Sequence, residues 1–259
     1  MLPSLLLLLG PVILLAPEVR RSSSPSALAS DSSPACPADM RHVSGTHYDR
    51  AQRLCVRLVR DICFEFNPDV VAFEGSETTV DVCVDQYEWP NKKGEKPPVM
   101  MRFTEAADKC KSVGKRLCSE VEWELACEGP ATLPFPYGYA QVPGACINDK
   151  PYKPYDGAKL ESSREEIRER EIKRLYQGEP SGSRPRCTTP FGVVDMVGNV
   201  EEWVTTSRPE WPHISSLKGG YWSKPWSKCR GTNDSHGPRF RFYEIGFRCC
   251  VAPVAAGPP

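Results

Sequence analysis

Twelve cysteines in a chain of 259 residues constrain this sequence more than any other feature. No two of them stand in the C-x-x-C spacing of a zinc site. That many unclustered cysteines are best explained as disulfides made in an oxidising compartment. The N-terminus points the same way. Leu2 to Leu15 is an apolar run broken by Gly10 and Pro11, too short to cross a bilayer. It reads as the core of a signal peptide, although its n-region has no Lys or Arg. Ala27-Leu28-Ala29 offers an A-x-A cleavage site, with a cut near Ala16 as the alternative. The expected organisation is a signal peptide over 1–29 and a short linker over 30–35. No cysteine follows the apolar run directly, which argues against a lipid anchor there, and no later stretch reads as a transmembrane segment. The protein is therefore expected to be secreted, or periplasmic and associated with the cell envelope. Lys and Arg number 33 and so do Asp and Glu. Zero net charge with interspersed signs argues against nucleic acid or a membrane surface as the main partner. The roughly 220 residues left after the leader suffice for one core.

Local patterns place a few elements. Residues 36–78 hold Cys36, Cys55 and Cys63 without clean periodicity, and read as a small cysteine-tied N-terminal cap. Thr79 to Glu88 alternates as a strand, with Val80, Val82 and Val84 on one face. Thr104 is placed to N-cap a helix running to about Val113 and stopped by Gly114. Ser119 with Glu122 forms a capping box, so Val121 to Glu128 reads as a second helix, ended by Gly129-Pro130. Residues 130–158 read as a long loop. Ser163 and Glu166 read as another capping box, opening a solvated helical insertion over about 160–178 with Ile167, Ile172, Leu175 and Tyr176 on one side. After Arg184, turns dominate. The four histidines, His42, His47, His213 and His236, show no ligand spacing. No nucleophile elbow, phosphate loop or H-E-x-x-H appears.

The stretch from Asp195 to Trp203, D-M-V-G-N-V-E-E-W, is a turn with carboxylates at both ends. Hard oxygen donors in a tight loop are what Ca²⁺ selects. From these nine residues alone, an ordinary turn behind a buried tryptophan is the better reading. Three further stretches stand around it: Gly114-Lys115-Arg116-Leu117 leading into Glu122-Trp123-Glu124-Leu125-Ala126-Cys127-Glu128-Gly129, then Lys218-Gly219-Gly220, then Gly246-Phe247-Arg248-Cys249. In this order the four motifs resemble the formylglycine-generating enzyme family, also called the sulfatase-modifying-factor family, over about Val82 to Val251, as a secreted, bacterial-type member. The resemblance implies an α+β fold: a disulfide-stapled variant of the C-type lectin fold with low regular secondary structure. It would occupy 79–253, with a tail over 254–259.

The resemblance also implies site residues. Disulfides Cys110–Cys249 and Cys127–Cys229 carry over from extracellular members. Cys146 and Cys187 flank the insertion and can pair, and Cys83, Cys118 and Cys250 are candidates for one further bridge. A structural Ca²⁺ would be held by the Asp195 side chain, the carbonyls of Gly198 and Val200, and the Glu202 side chain. Aerobic members oxidise a substrate cysteine with O₂ at a Cu(I) held by two cysteines just after K-G-G. Here that segment is shorter and has one cysteine, Cys229, which matches the structural position. Lys224 stands where a copper cysteine is expected. An ammonium cannot replace a thiolate on Cu(I), so copper and a catalytic residue set are not expected. Trp222 is expected in the core, whereas Trp226 with Lys224 is a candidate for lining a surface groove that binds an extracytoplasmic peptide, protein or glycan by stacking. The expectation is a binding or structural module that keeps the family fold. The alternative is a family oxidase acting on a peptide cysteine.

Overall fold

The computed structural model describes residues 36–210 and 213–254, without the side chains of 70, 71 and 207–210. The expected leader, cleavage sites, the linker and the residues after Val254 lie outside the described residues.

The chain opens with two long strands, β1 (Met40–Val59) and β2 (Ile62–Asp85). They pair antiparallel from Met40↔Asp85 to Val59↔Ile62. Arg60 and Asp61 connect them, both left-handed with φ of 48° and 64°, the backbone a two-residue hairpin turn requires. Near the base, Val43, Val80, Val82 and Val84 are buried. Toward the tip, Leu54, Val56 and Leu58 are exposed. Residues 36–78, expected as a small cap on the main domain, include most of this hairpin, which takes in the strand expected at Thr79 and whose base belongs to the main sheet. The tip carries no core-facing alternation, and register shifts between Tyr48/Arg50, Arg53/Cys55, Cys55/Arg57 and Arg57/Leu58 break the period of two.

Helix α1 (Phe103–Ser112), strand β3 (Arg116–Leu117) and helix α2 (Glu120–Glu128) follow. The cap expected at Thr104 falls two residues late. Arg102 is the N-cap, because the Glu105 carboxylate accepts its backbone N–H at 2.9 Å. In α2 the Ser119–Glu122 capping box is present: Ser119 Oγ accepts from Glu122 N, and Glu122 accepts from Ser119 N at 2.7 Å. After a long loop come α3 (Gly157–Leu160) and α4 (Glu165–Leu175). No Ser163 cap forms; Arg164 is the N-cap and has no side-chain capping bond. The expected insertion packs inward through Leu160 and Leu175 against Trp222 and Tyr243.

Strands β4 (Glu201–Glu210), β5 (His213–Lys218), β6 (Thr232–Asn233), β7 (Ile245–Phe247) and β8 (Cys249–Val251) complete the fold. One sheet has the order β1-β2-β8-β3, the other β6-β5-β4-β7, with β7 parallel to β4. One apolar cluster lies between the hairpin base and α2; another packs α1 against Trp203, Leu217 and Phe247.

Six disulfides, Cys36–Cys83, Cys55–Cys63, Cys110–Cys249, Cys118–Cys250, Cys127–Cys229 and Cys146–Cys187, take up all twelve cysteines. Two of them therefore use the three cysteines expected to share one bridge, with Cys36 taking Cys83. Cys110–Cys249 spans 139 residues and Cys55–Cys63 only 8. Loop entropy makes the first worth about 5 kcal/mol and the second about 2.5 kcal/mol. Replacing both cysteines of each pair by Ala should separate the two in denaturant midpoints under non-reducing conditions. Equal losses would show that loop closure does not set their contribution.

Candidate functional site

The turn at 195–200 is shaped by backbone that few residues tolerate. Asp195, Gly198 and Asn199 all have positive φ, of 58°, 82° and 57°. A Cβ on Gly198 would lie 2.3 Å from the Ile147 carbonyl oxygen, so only glycine fits there. The turn is clamped to the K-G-G loop: Gly198 N donates to Gly219 O at 3.0 Å, and Trp222 N to Asn199 O at 3.2 Å. Asn199 Nδ2 donates to Glu88 Oε1 at 2.8 Å, and its Oδ1 accepts from Glu179 N at 2.9 Å.

Beneath the turn lies a buried charge cluster. Arg248 grips Glu202 with two bonds, Nη2 to Oε1 at 2.6 Å and Nε to Oε2 at 2.7 Å. Trp123 Nε1 donates to the same Oε2 at 2.7 Å. Asp195 accepts from Gly182 N through Oδ2, while its Oδ1 is buried without a partner. Burial, with Glu202 and Glu179 nearby and against the pull of Gly182 N and Arg248, pushes Asp195 up to about 6. Glu88 is raised well above the usual carboxylate range by burial and by Asp195. Three acids, Glu88, Asp195 and Glu202, thus face one guanidinium. A divalent cation suits that deficit and the bare Asp195 oxygen. Glu202, in contrast, is already engaged at both oxygens. No group of three His, Cys, Asp or Glu residues placed to hold a metal occurs among the described residues.

The K-G-G loop leads out of this core to the surface. A Cβ on Gly220 would meet Ser227 Oγ at 2.0 Å, so the loop folds tightly back on itself. Lys224 Nζ pairs with Glu201 at 2.8 Å and sits 5.1 Å from the centre of the Tyr221 ring. Trp222 is buried, as a core residue should be, and Trp226 is 47% exposed. Lys224 separates two hollows. The smaller is lined by Trp226, Asp61, Ile62 and Lys228. The larger, of about 710 Å³, is lined by Tyr155, Glu201, Tyr221, Arg241, Phe242 and Glu244 among others. Trp226 and Lys224 therefore share the smaller hollow, and only Lys224 reaches the larger cleft.

Residues not singled out from sequence dominate that cleft. Glu244 is 7% exposed, and its Oε2 is buried without a partner. Burial and the charge of Glu201 push it up to about 8, against the opposing charge of Lys224. Tyr221 is raised to about 12 by burial and by Glu244. His236 stacks on Phe240 at 3.7 Å between ring centres and lines the cleft. The signal available in the sequence was the run Phe240-Arg241-Phe242-Tyr243-Glu244, where large aromatics alternate with charges just before G-F-R-C.

The fold is that of the formylglycine-generating-enzyme-like variant of the C-type lectin fold. PvdO from Pseudomonas aeruginosa superposes with a TM-score of 0.52 at 18% identity, over 82% of this chain and 92% of that one. CarF superposes with a TM-score of 0.51 at 15% identity, over 84% and 99%. The profile of the sulfatase-modifying factor enzyme 1-like domain matches residues 42–253, and the chain belongs to that family. It is 30% identical over 115 residues to the formylglycine-generating enzyme of Mycobacterium tuberculosis, and 27% identical over 136 residues to the hercynine oxygenase of Mycolicibacterium smegmatis. These matches span 42% and 51% of this chain but only 33% and 27% of those relatives.

The two displaced carboxyls set a pH dependence. Each has a folded value above its unfolded one, so the fold favours the neutral form and ionisation costs stability. That cost appears as pH rises from 3.8 to about 6 for Asp195 and from 4.5 to about 8 for Glu244. Between pH 6.5 and 8, Glu244 should cost up to about 1.4 kcal/mol per pH unit. Glu244→Gln should flatten the stability–pH curve in that window, as read by urea unfolding. Parallel curves for the two proteins would mean Glu244 is ionised in the fold.

Proposed function

We propose that this chain is an extracytoplasmic binding module of its family, built on the oxidase scaffold but without the oxidase's copper chemistry. The observation that supports this most directly is the Lys224–Glu201 ion pair, standing where the resemblance puts a copper cysteine. The oxidases hold Cu(I) by two thiolates, ligands that suit this soft ion, and Cys229, the one cysteine of the segment, is bonded to Cys127. Six disulfides suit an oxidising compartment. No helix among the described residues is long and apolar enough to cross a membrane. The binding surface in this reading is the pair of hollows beside Lys224. The experiment is incubation with a cysteine peptide, copper and O₂. No aldehyde should form above a copper-only blank, and Lys224→Cys alone should not restore it. Turnover by the unmodified protein would return the chain to the oxidases.

The turn at Asp195 is proposed as a structural Ca²⁺ site, with the bare Asp195 oxygen and the excess of buried acids as its support. Ca²⁺ at a hundredfold excess over its Kd would then add about 2.7 kcal/mol by mass action. Asp195→Asn, which removes one buried charge, should abolish the Ca²⁺-dependent rise in melting temperature. A parent melting curve indifferent to millimolar Ca²⁺ and to chelator would leave a metal-free turn.

A further inference from the structure

The cleft beside Lys224 has features that specify a ligand class, and the inference rests on reading that cleft as a binding site. Its charges are not all matched among the described residues. Arg102 is matched by Glu105 and Lys224 by Glu201. Arg241 makes no ion pair among the described residues. Burial first, and then the like charges of Arg102 and Arg168, hold it below the usual guanidinium range against the pull of Glu105. An unpaired guanidinium crowded by two others is relieved by an anion, and its planar fork fits a carboxylate. Glu244 supplies the second, independent observation: a side chain 7% exposed that lines the same cleft and has one oxygen without a partner. The charged and titratable groups acting on it are Glu201, Lys224, Tyr243 and Tyr221. With Glu201 already paired, a protonated Glu244 is free to donate to a ligand oxygen. The third feature is aromatic. Tyr155 is 49% exposed, braced edge-on by Phe242 at 4.9 Å between ring centres, and the His236–Phe240 stack lines the cleft with it.

The geometry points to an acidic saccharide, a sugar unit bearing a carboxylate, as the ligand of this cleft. The carboxylate goes to Arg241, a hydroxyl or ring oxygen to Glu244, and the apolar face of a sugar ring to Tyr155. A cleft of about 710 Å³ is within the range of small-ligand sites. An extended acidic peptide is the less fitting occupant, because it would need main-chain partners. The edge of β7 beside the cleft is already covered, by Met101 N to Ile245 O at 3.3 Å and Trp89 N to Phe247 O at 2.8 Å. Strand β6, which borders the cleft at Asn233, is only two residues long. A neutral sugar would leave Arg241 unmatched.

The test is calorimetric titration of the intact protein, at low salt and pH 6.5, with three probes. These are a trigalacturonic acid, the same trisaccharide fully methyl-esterified, and a short glutamate peptide. The acid should bind, and the ester at least about tenfold more weakly, as loss of one charge-assisted contact implies. Arg241→Gln should lose about the same factor for the acid and little for the ester. Tyr155→Ala should weaken both saccharides by about three- to tenfold. Both side chains are unneeded for packing the core, so the variants should fold. Equal binding of acid and ester, tighter binding of the peptide, or no heat with any probe would each overturn the proposal. Aldehyde formation in the copper assay would instead remove the binding-module reading, so the two failures are distinguishable.

Discussion

The bidentate bond between Arg248 and Glu202 holds the irregular half of this protein together. Both residues are 1% exposed. Beyond Glu202, the guanidinium donates to Val194 O at 3.0 Å and Asp85 O at 3.2 Å. One side chain thus joins the end of β2, the turn before β4, and β4 itself, while Trp123 brings α2 to the same carboxylate. A buried ion pair gains little over an apolar pair of the same shape, but losing one partner strands the other charge and costs about 3–5 kcal/mol. Its value here is positional. Arg248 lies between β7 and β8, one strand of each sheet, so the contact fixes how the two sheets meet.

Around that contact, loops do the work that long elements do in other folds. The K-G-G loop, the 195–200 turn and the segment at Ile147 bond to each other through main chain. Disulfides then pin the ends of the helices: Cys110 of α1 to β8, and Cys127 of α2 to Cys229, next to Lys228 of the smaller hollow. A loop held this way can present side chains at a surface without the mobility loops usually carry. Lys218 adds a second buried knot. It is fully buried, is paired with Glu120 and Glu124, and lies at the start of the loop that carries Lys224. His47 bonds the other oxygen of Glu124 at 2.7 Å. Although burial works against it, this pairing holds Glu124 down to about 2.

Two kinds of buried acid therefore coexist. Glu124 and Glu202 have cationic partners, and their charge is part of the architecture. Asp195 and Glu244 each keep an oxygen without a partner. The first lies in the sealed core under the turn and the second in an open cleft, so the proposed occupants differ in size: a small cation in one place and a larger ligand in the other. Perturbed carboxyls concentrate at functional sites for this reason.

Much of the framework was legible in the chain. The S-x-x-E box of α2 works through bonds between neighbours, so four residues suffice to state it. Gly198 and Gly220 declare tight backbone wherever they occur in such turns. The order of four motifs identified the family, and with it the fold. Tertiary structure alone decided the rest. The distal hairpin has no buried face, so periodicity could not announce 20- and 24-residue strands. Cys36, far from any motif, takes Cys83 because the hairpin base brings them together. Glu202 reads from its neighbours in sequence only as a carboxylate at the end of a turn. Its bond to Arg248, 46 residues away, is visible only once folding has closed that distance. Lys224 and Trp226 stand two apart in the chain and share the smaller hollow, yet only Lys224 also lines the larger cleft. Glu244 shows the limit most clearly: a carboxyl is ordinary in any sequence, and becomes a site only when folding removes water from one oxygen and supplies nothing in its place.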